Sequence, residues 1–520
     1  MKTKLQYIKE MIEPSNDLVT KDFMFSENIK ITLMFLKNMP DLELLNSMLI
    51  KPLINAKQDK TIQEKFKKFG DYLSKNKSKN ICKNQKDDTL SHKVKEFKKE
   101  NFPKNSLSNF LISEIIFISE TEYVTDKDNM LDNVLRGNCL VLINDGVEGF
   151  ICSLVGYLDR TITEPPTSVV INGPRAGFVE NLNTNLTLVR RRLCNSDFKI
   201  EELTIGRYTK TRIAVCYINS IADNEIVKDV KEKLGAIDID GIIDSEYLVD
   251  YICKRPYSIL KQVGKSEKPD VVVSKLLEGR VCILVDGSPI CLSVPFMFLE
   301  DLQAPDDYYQ KNYKVIFLRF LRLIGIFSAL LLPGMYVAMQ SFHYKLLPTK
   351  FLATLLNSTQ GLPLTPFLEV LFVLLLFEIL YESSIRMPKY MGMALSIVGA
   401  LILGDTAVKA GLISSPSVMI IALSGLTIYI IPDESGQLSL LRIFFVLLGG
   451  TLGLFGITMG LLVLLIYVCS VDNYQVPYIA PIAPLIKNDL KDAFNKATVM
   501  DMDFRPEALN QKNKKRQKNK

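Results

Sequence analysis

Residues 212–227 read RIAVCYINSIADNEIV, and residues 30–45 read KITLMFLKNMPDLELL; the two align without a gap. Each holds an apolar run of strand type, a short turn, an acidic position suited to a helix N-cap (Asp41, Asp223) and the start of a helical pattern. A second pair, LRGNCLVLIND (135–145) against LEGRVCILVDG (277–287), sets Gly137 and Gly279 before a buried strand and Asn144 opposite Asp286. Self-similarity of this kind marks a duplicated unit. The fold class expected is therefore a duplicated α/β N-terminal domain, with copies at roughly 12–160 and 200–300 inside subdomains 1–160 and 200–312. A Lys-rich insert, 56–105, interrupts the first copy.

Between the copies, 161–199, lies INGPRAGFVENLNTNLTLVRRRL (171–193). Gly173 and Pro174 preset a turn. Phe178, Leu182, Leu186, Val189 and Leu193 then recur at helical spacing and predict a connecting helix over 175–193. Its other face carries Asn181, Asn183, Thr184, Asn185 and Thr187, groups suited to a hydrogen-bonded contact. Arg190, Arg191 and Arg192 complement the helix dipole at its end. The expectation is a subunit–subunit or inter-lobe contact carried by Pro174, Arg175, Phe178, Asn181, Asn185 and the three arginines.

From Tyr313 to Ser470 the sequence turns apolar, as a polytopic α-helical membrane domain does (313–470). Five segments are visible: 315–339 with Arg319, Arg322 and a kink expected at Pro333; about 365–385; about 390–412; 415–432; and about 440–469. Lys-rich ends on both sides place both termini in the cytosol, which demands an even number of crossings. One segment must then be re-entrant, interfacial or a hairpin, and GDTAVKAGLISSP (404–416) is the candidate. The span count is thus four to six. Residues 471–520 form a Pro-rich, then basic tail, whose rigid start should dock on the membrane surface or the N-terminal domain.

Carboxylates inside such segments are costly and face a partner or an aqueous path. Glu378 and Glu382 share one helical face, and Glu369 points roughly the other way. They are the candidates for an ion path or gate; otherwise Glu369 and Glu382 are interfacial and Glu378 pairs with Arg319 or Lys409. Asp405 and Lys409, four apart, can neutralise each other. Gly449, Gly450, Gly453, Gly456 and Gly460 form a small-residue face suited to helix packing.

Several classes are excluded. Nine cysteines form no CxxC pair and read as small buried hydrophobes; with only His92 and His343, no metal or cofactor is expected. No phosphate loop, dinucleotide fingerprint or nucleophile elbow occurs, so no enzyme is expected. The basic runs lack aromatic partners, so no nucleic acid is expected either. The N-terminus lacks the apolar stretch of a secretory signal.

INGPRAGFVENLNTNLTLVRRRL, KPDVVVSKLLEGRVCILVDGSP and APDDYYQKNY resemble the A subunit of bacterial spore germinant receptors, the GerA family. So do LLLPGMYVAMQSFHYKLLPTKFLATL, SIVGALILGDTAVKAGLISSP and PYIAPIAPLIKNDLKDAF, and the resemblance runs in order over 17–496. It implies a subunit in the inner membrane of the spore, working with a transporter-like B subunit that binds the nutrient and a lipoprotein C subunit. It further implies a homo-oligomeric ring in the lipid bilayer that passes the signal on as ion flux. The pattern departs at Asp405 and Lys409, where a Gln and a Glu are usual. A non-conducting scaffold of the same complex is the other reading, and a stand-alone paralogue would share these motifs.

Overall fold

The computed structural model describes residues 3–26, 29–59, 62, 107–116, 118, 120–146, 148–154, 156, 170, 172–386, 399, 402–431 and 434–517. Most of the Lys-rich insert, the first part of segment 390–412 and Pro432 lie outside them.

The first copy runs α1 (Lys4–Ile12), β1 (Leu18–Ser26), β2 (Ile29–Leu36), α2 (Leu42–Leu44), a π-helical stretch (Leu45–Ile50) and α3 (Lys51–Gln58). It continues with α4 (Leu107–Glu114), β3 (Thr121–Tyr123), α5 (Lys127–Leu135), β4 (Cys139–Ile143) and β5 (Glu148–Cys152). The second runs α6 (Leu182–Arg190), β6 (Phe198–Ile205), β7 (Thr211–Ile218), α7 (Asn224–Gly235), α8 (Glu246–Ile252), β8 (Gly264–Ser266), α9 (Pro269–Leu277), β9 (Val281–Val285) and β10 (Cys291–Val294). Both sheets are antiparallel, with matching orders β1-β2-β4-β5-β3 and β6-β7-β9-β10-β8. The registers match too: Ile31 faces Ile143 where Ile213 faces Val285, and Met34 faces Leu140 where Cys216 faces Cys282.

The continuous apolar runs of β2, β4, β7 and β9 follow from burial on both faces. Alternate side chains of a strand point to opposite sides. Ile31, Leu33 and Phe35 therefore pack with α3 and α4, while Met34 and Leu36 pack with α1 and α5. In the second sheet Ile213, Val215 and Tyr217 meet α7 and α8, and Ala214, Cys216 and Ile218 meet α6 and α9. Asp41 and Asp223 cap α2 and α7 as the alignment predicts. Gly137 and Gly279 hold φ near +96° and +98° just past α5 and α9, the left-handed stop that glycine allows. Cys139, Cys152, Cys216, Cys282 and Cys291 are buried, and burial pushes the Cys139 thiol up to about 12; Cys194 and Cys469 are exposed.

Of the expected connecting element 161–199, residue 170 and residues 172–199 are described, and the helix there packs on the second copy. α6 is the first helix of the second copy, in the place α1 holds in the first, because its apolar side is buried against β6, β7 and β9.

The helical part comprises α10 (Asn312–Ser341), α11 (Thr349–Thr359), α12 (Pro366–Arg386), α13 (Ser415–Ile428) and α14 (Ser435–Ser470). α10 and α14 are long and apolar enough to cross a membrane by length and composition. α10 stays helical through Pro333, so the kink expected there does not break it. The residue after it, Gly334, touches α14 backbone to backbone: a Cβ there would stand 2.6 Å from the Phe445 carbonyl oxygen, and one on Gly449 would strike the Gly334 carbonyl.

α14 reverses direction at Gly453, whose φ of 64° and ψ of −149° are open essentially to glycine. In a straight helix Gly460 and Leu448 would be about 18 Å apart. Here a Cβ on Gly460 would come within 2.5 Å of the Leu448 side chain, and one on Gly456 within 2.6 Å of the Leu448 carbonyl oxygen. The last apolar segment is thus a helical hairpin, a second reversal beside the turn that Gly411, at φ 65°, makes within 404–416. Stretch 404–416 holds the end of a π-helical turn (Ile402–Thr406) and one short helical turn (Ala407–Lys409) leading to α13. Replacing Gly453 by Ala is expected to cost about 1–3 kcal/mol. Thermal melting in detergent checks this, with Gly235→Ala, at a site with open space around it, as a neutral control.

Candidate functional site

Among the described residues, three charge clusters bear on the helical bundle, two inside it and one at its junction with the α/β domain. In the first, Arg442 on α14 is 3% exposed and its Nη2 lies 2.5 Å from Oε1 of Glu378 on α12. The Ser439 hydroxyl donates to the same carboxylate oxygen. Arg442 Nη1 donates to Ser424 Oγ on α13 at 3.2 Å, and Ser424 donates onward to the Ala329 carbonyl of α10 at 2.9 Å. Four helices are thus tied through one guanidinium. Glu378 pairs with neither Arg319 nor Lys409, because Arg442 lies on the facing helix within reach. Arg442 is the functional candidate that the sequence reading missed; an arginine inside an apolar run was its signal.

In the second, Glu369 is 1% exposed rather than interfacial, since Ser414 reaches it: the Ser414 N–H donates to its Oε1 at 2.6 Å. Ser414 caps α13 and donates to Ser417, whose hydroxyl donates to that of Tyr336 on α10. A carboxylate beside a helix N-terminus is favoured by the helix dipole. Glu382 is exposed and paired with Arg386 at 2.5 Å, and Asp405 is exposed and paired with Lys409 at 2.7 Å. Neither therefore joins the buried network. Gly450 lies under the Phe367 ring, so the glycines of α14 serve close packing in this bundle.

The third cluster joins the two parts of the chain. Arg319 and Asp307 are fully buried, 3.2 Å apart. Arg322 binds both oxygens of Asp307, at 2.7 and 2.9 Å. Arg319 Nη1 also donates to the carbonyls of Asp492 (2.6 Å) and Ala493 (2.9 Å), and Lys496 donates to the carbonyls of Asp307 and Gln310 at 2.8 Å. Burial pushes the Asp492 carboxyl up, with Arg319 pulling it back. APDDYYQKNY and the Pro-rich tail, about 180 residues apart, thus meet on the first turns of α10. Beyond Asp492 the tail lies on the second copy: Arg505 donates to Leu277 O at 2.7 Å, Gln511 to Glu278 O at 2.9 Å, and the Lys512 N–H to Ile221 O at 3.0 Å.

The 171–193 stretch is locally different from its expected form. The helix begins at Leu182, not at 175, with Asn181 as its N-cap accepting from the N–H groups of Asn183 and Thr184. Phe178 precedes the helix, outside regular structure, yet fills the same core as Leu182 and Leu186. Asn185 is fully buried within the chain: its amide accepts from Val179 N at 2.9 Å and donates to Val179 O at 2.5 Å. Pro174 is half-buried beside Gly173, over which the Tyr309 ring packs; Arg175, Arg191 and Arg192 are exposed. Arg190 is 2% exposed and pairs with Asp17 at 2.5 Å, joining α6 to the chain entering β1 of the other copy. Lys199 donates to Met11 O at 2.7 Å across the same seam.

Known proteins share this chain's sequence over most of its length. The family model of the Bacillus/Clostridium GerA spore germination protein matches residues 6–508. Spore germination protein KA of Bacillus subtilis (strain 168) is 35% identical over 392 residues, 75% of this chain and 72% of the relative. The uncharacterized membrane protein YfkQ of the same organism is 33% identical, covering 76% of this chain and 77% of its own. Spore germination protein GerLA of Bacillus cereus is 31% identical, covering 77% and 82%. The N-terminal domain of the A subunit of the Bacillus megaterium spore germinant receptor GerK3 aligns at 24% identity and a TM-score of 0.36, covering 56% of this chain and 94% of that one. The chain belongs to the GerA family of spore germination proteins, the A subunits of germinant receptors.

Proposed function

We infer that this chain is the membrane subunit that converts germinant binding into ion release, conducting cations as a homo-oligomer beside a transporter-like B subunit and a lipoprotein C subunit. The observation that carries this is Glu378–Arg442: an ion pair held between apolar helices, with serine hydroxyls on both partners. Such a pair is costly to bury, and separating it would expose a carboxylate able to attract a cation. The hairpin at Gly453 supports a multi-pass arrangement. α10, α12, α13 and the two arms of α14 supply five passes, and the apolar sequence of 390–412 would supply a sixth, which puts both termini on the cytosolic side of the spore inner membrane. The role is non-enzymatic, and Glu369 with Glu382 stands beside Glu378 as the further acidic candidates for the path.

A non-conducting transducer is the second reading. What favours it is that Glu378 is already neutralised, as in a structural lock. Ion conductance of the purified chain in liposomes, with and without its partner subunits, separates the two.

A further inference from the structure

The loop between α8 and β8 is built as a presented tip. The Ser258 N–H donates to the Arg255 carbonyl at 3.0 Å, closing a turn with Pro256 and Tyr257 at its centre, the position proline favours. Both flanks are fastened to the end of α14: Ser258 Oγ lies 2.8 Å from Tyr467 Oη, and Arg255 Nη2 donates to Ser470 O at 3.0 Å. Lys254 pairs with Asp472, and Leu260 packs into the cluster of Phe296, Val471 and Tyr478. A loop held this firmly would be expected to cover its large side chains. Instead Tyr257 is 100% exposed and Ile259 is 46% exposed.

Their location explains it. The returning arm of α14 shows Leu462, Val463, Leu465 and Ile466 on its outside, and the turn is fastened just beyond them, at Tyr467 and Ser470. Tyrosine is enriched where hydrocarbon gives way to headgroups, its ring apolar and its hydroxyl wet. Exposed Arg255, Lys311, Lys314 and Lys487 lie at this end of the bundle or beside it in sequence, a charge that complements anionic lipid. We propose that the Arg255–Ser258 turn is a membrane-interface anchor, seating Tyr257 and Ile259 among the headgroups of an anionic bilayer and so fixing the α/β domain against the membrane. This rests on the bundle being membrane-embedded.

The chain contains no tryptophan, so a single substitution reports alone. The full chain is reconstituted in vesicles containing phosphatidylglycerol, with or without a lipid bearing a quencher near its headgroup. Tyr257→Trp should emit at shorter wavelength and lose most of its emission to the quencher. Tyr208→Trp, on the β6–β7 turn at the opposite end of α8, should stay unquenched. Phe455→Trp, on the outside of α14, reports on the bundle itself under a quencher placed along the acyl chain. Quenching at 455 without quenching at 257 overturns the anchor and leaves the membrane reading standing; quenching at neither overturns both. A blue-shifted but unquenched Tyr257→Trp means that another copy of this chain covers the turn, and also overturns the anchor.

Discussion

Glu378→Gln is expected to lower the stability of the bundle by about 3–5 kcal/mol, because it leaves Arg442 buried without its partner, and Arg442→Met by less, because the Glu378 carboxylate it leaves unpaired is partly exposed. The double variant should regain most of that loss, since a buried pair replaced by neutral side chains of similar size is often neutral in stability. Function should not return with it. If the pair is the gate, the double variant accumulates to normal amount while germinant-triggered cation release from spores slows at least about tenfold, some 1.4 kcal/mol in activation free energy. Release at the normal rate in a stable double variant would reduce the pair to packing. The cycle thus separates a structural contribution from a functional one, which neither single variant can do.

Arg319→Met should act on the junction instead. It leaves Asp307 with Arg322 and the Ala304 N–H and removes four hydrogen bonds to Asp492 and Ala493 of the tail, at a cost of about 3–5 kcal/mol. Limited trypsin digestion is the measurement: the tail, with exposed Lys487 and Lys491, should be cut much faster than in the parent chain. Arg319→Lys keeps the charge but loses the planar fork that spans Asp307 and two carbonyls, so it should fall between the two. An unchanged digestion pattern in Arg319→Met would show that the tail is held by its contacts to the second copy alone.

Much of this was legible in the sequence because duplication repeats its chemistry locally. The strands of 30–45 and 212–227 carry their own apolar runs and caps, so their pairing needed no distant partner. The 175–193 periodicity makes α6 too long, since Phe178 lies at helical spacing from Leu182 but precedes the helix; Asn181, a good N-cap residue, marks the true start. The hairpin was hidden by the glycines that make it: the same residues suit a straight packed helix. Length was the available sign, because 36 helical residues span about 54 Å, far more than a bilayer core. The partner of Glu378 could not be read at all, since 64 residues separate it from Arg442 and only packing brings them together.

The most direct measurement is potassium flux across liposomes holding the purified chain together with its transporter-like and lipoprotein partners. A conducting subunit predicts flux that begins on adding germinant, is missing when this chain is omitted, and is lost in the Glu378→Gln/Arg442→Met double variant. Germinant-dependent flux of the same size without this chain, or with the double variant in its place, would contradict it.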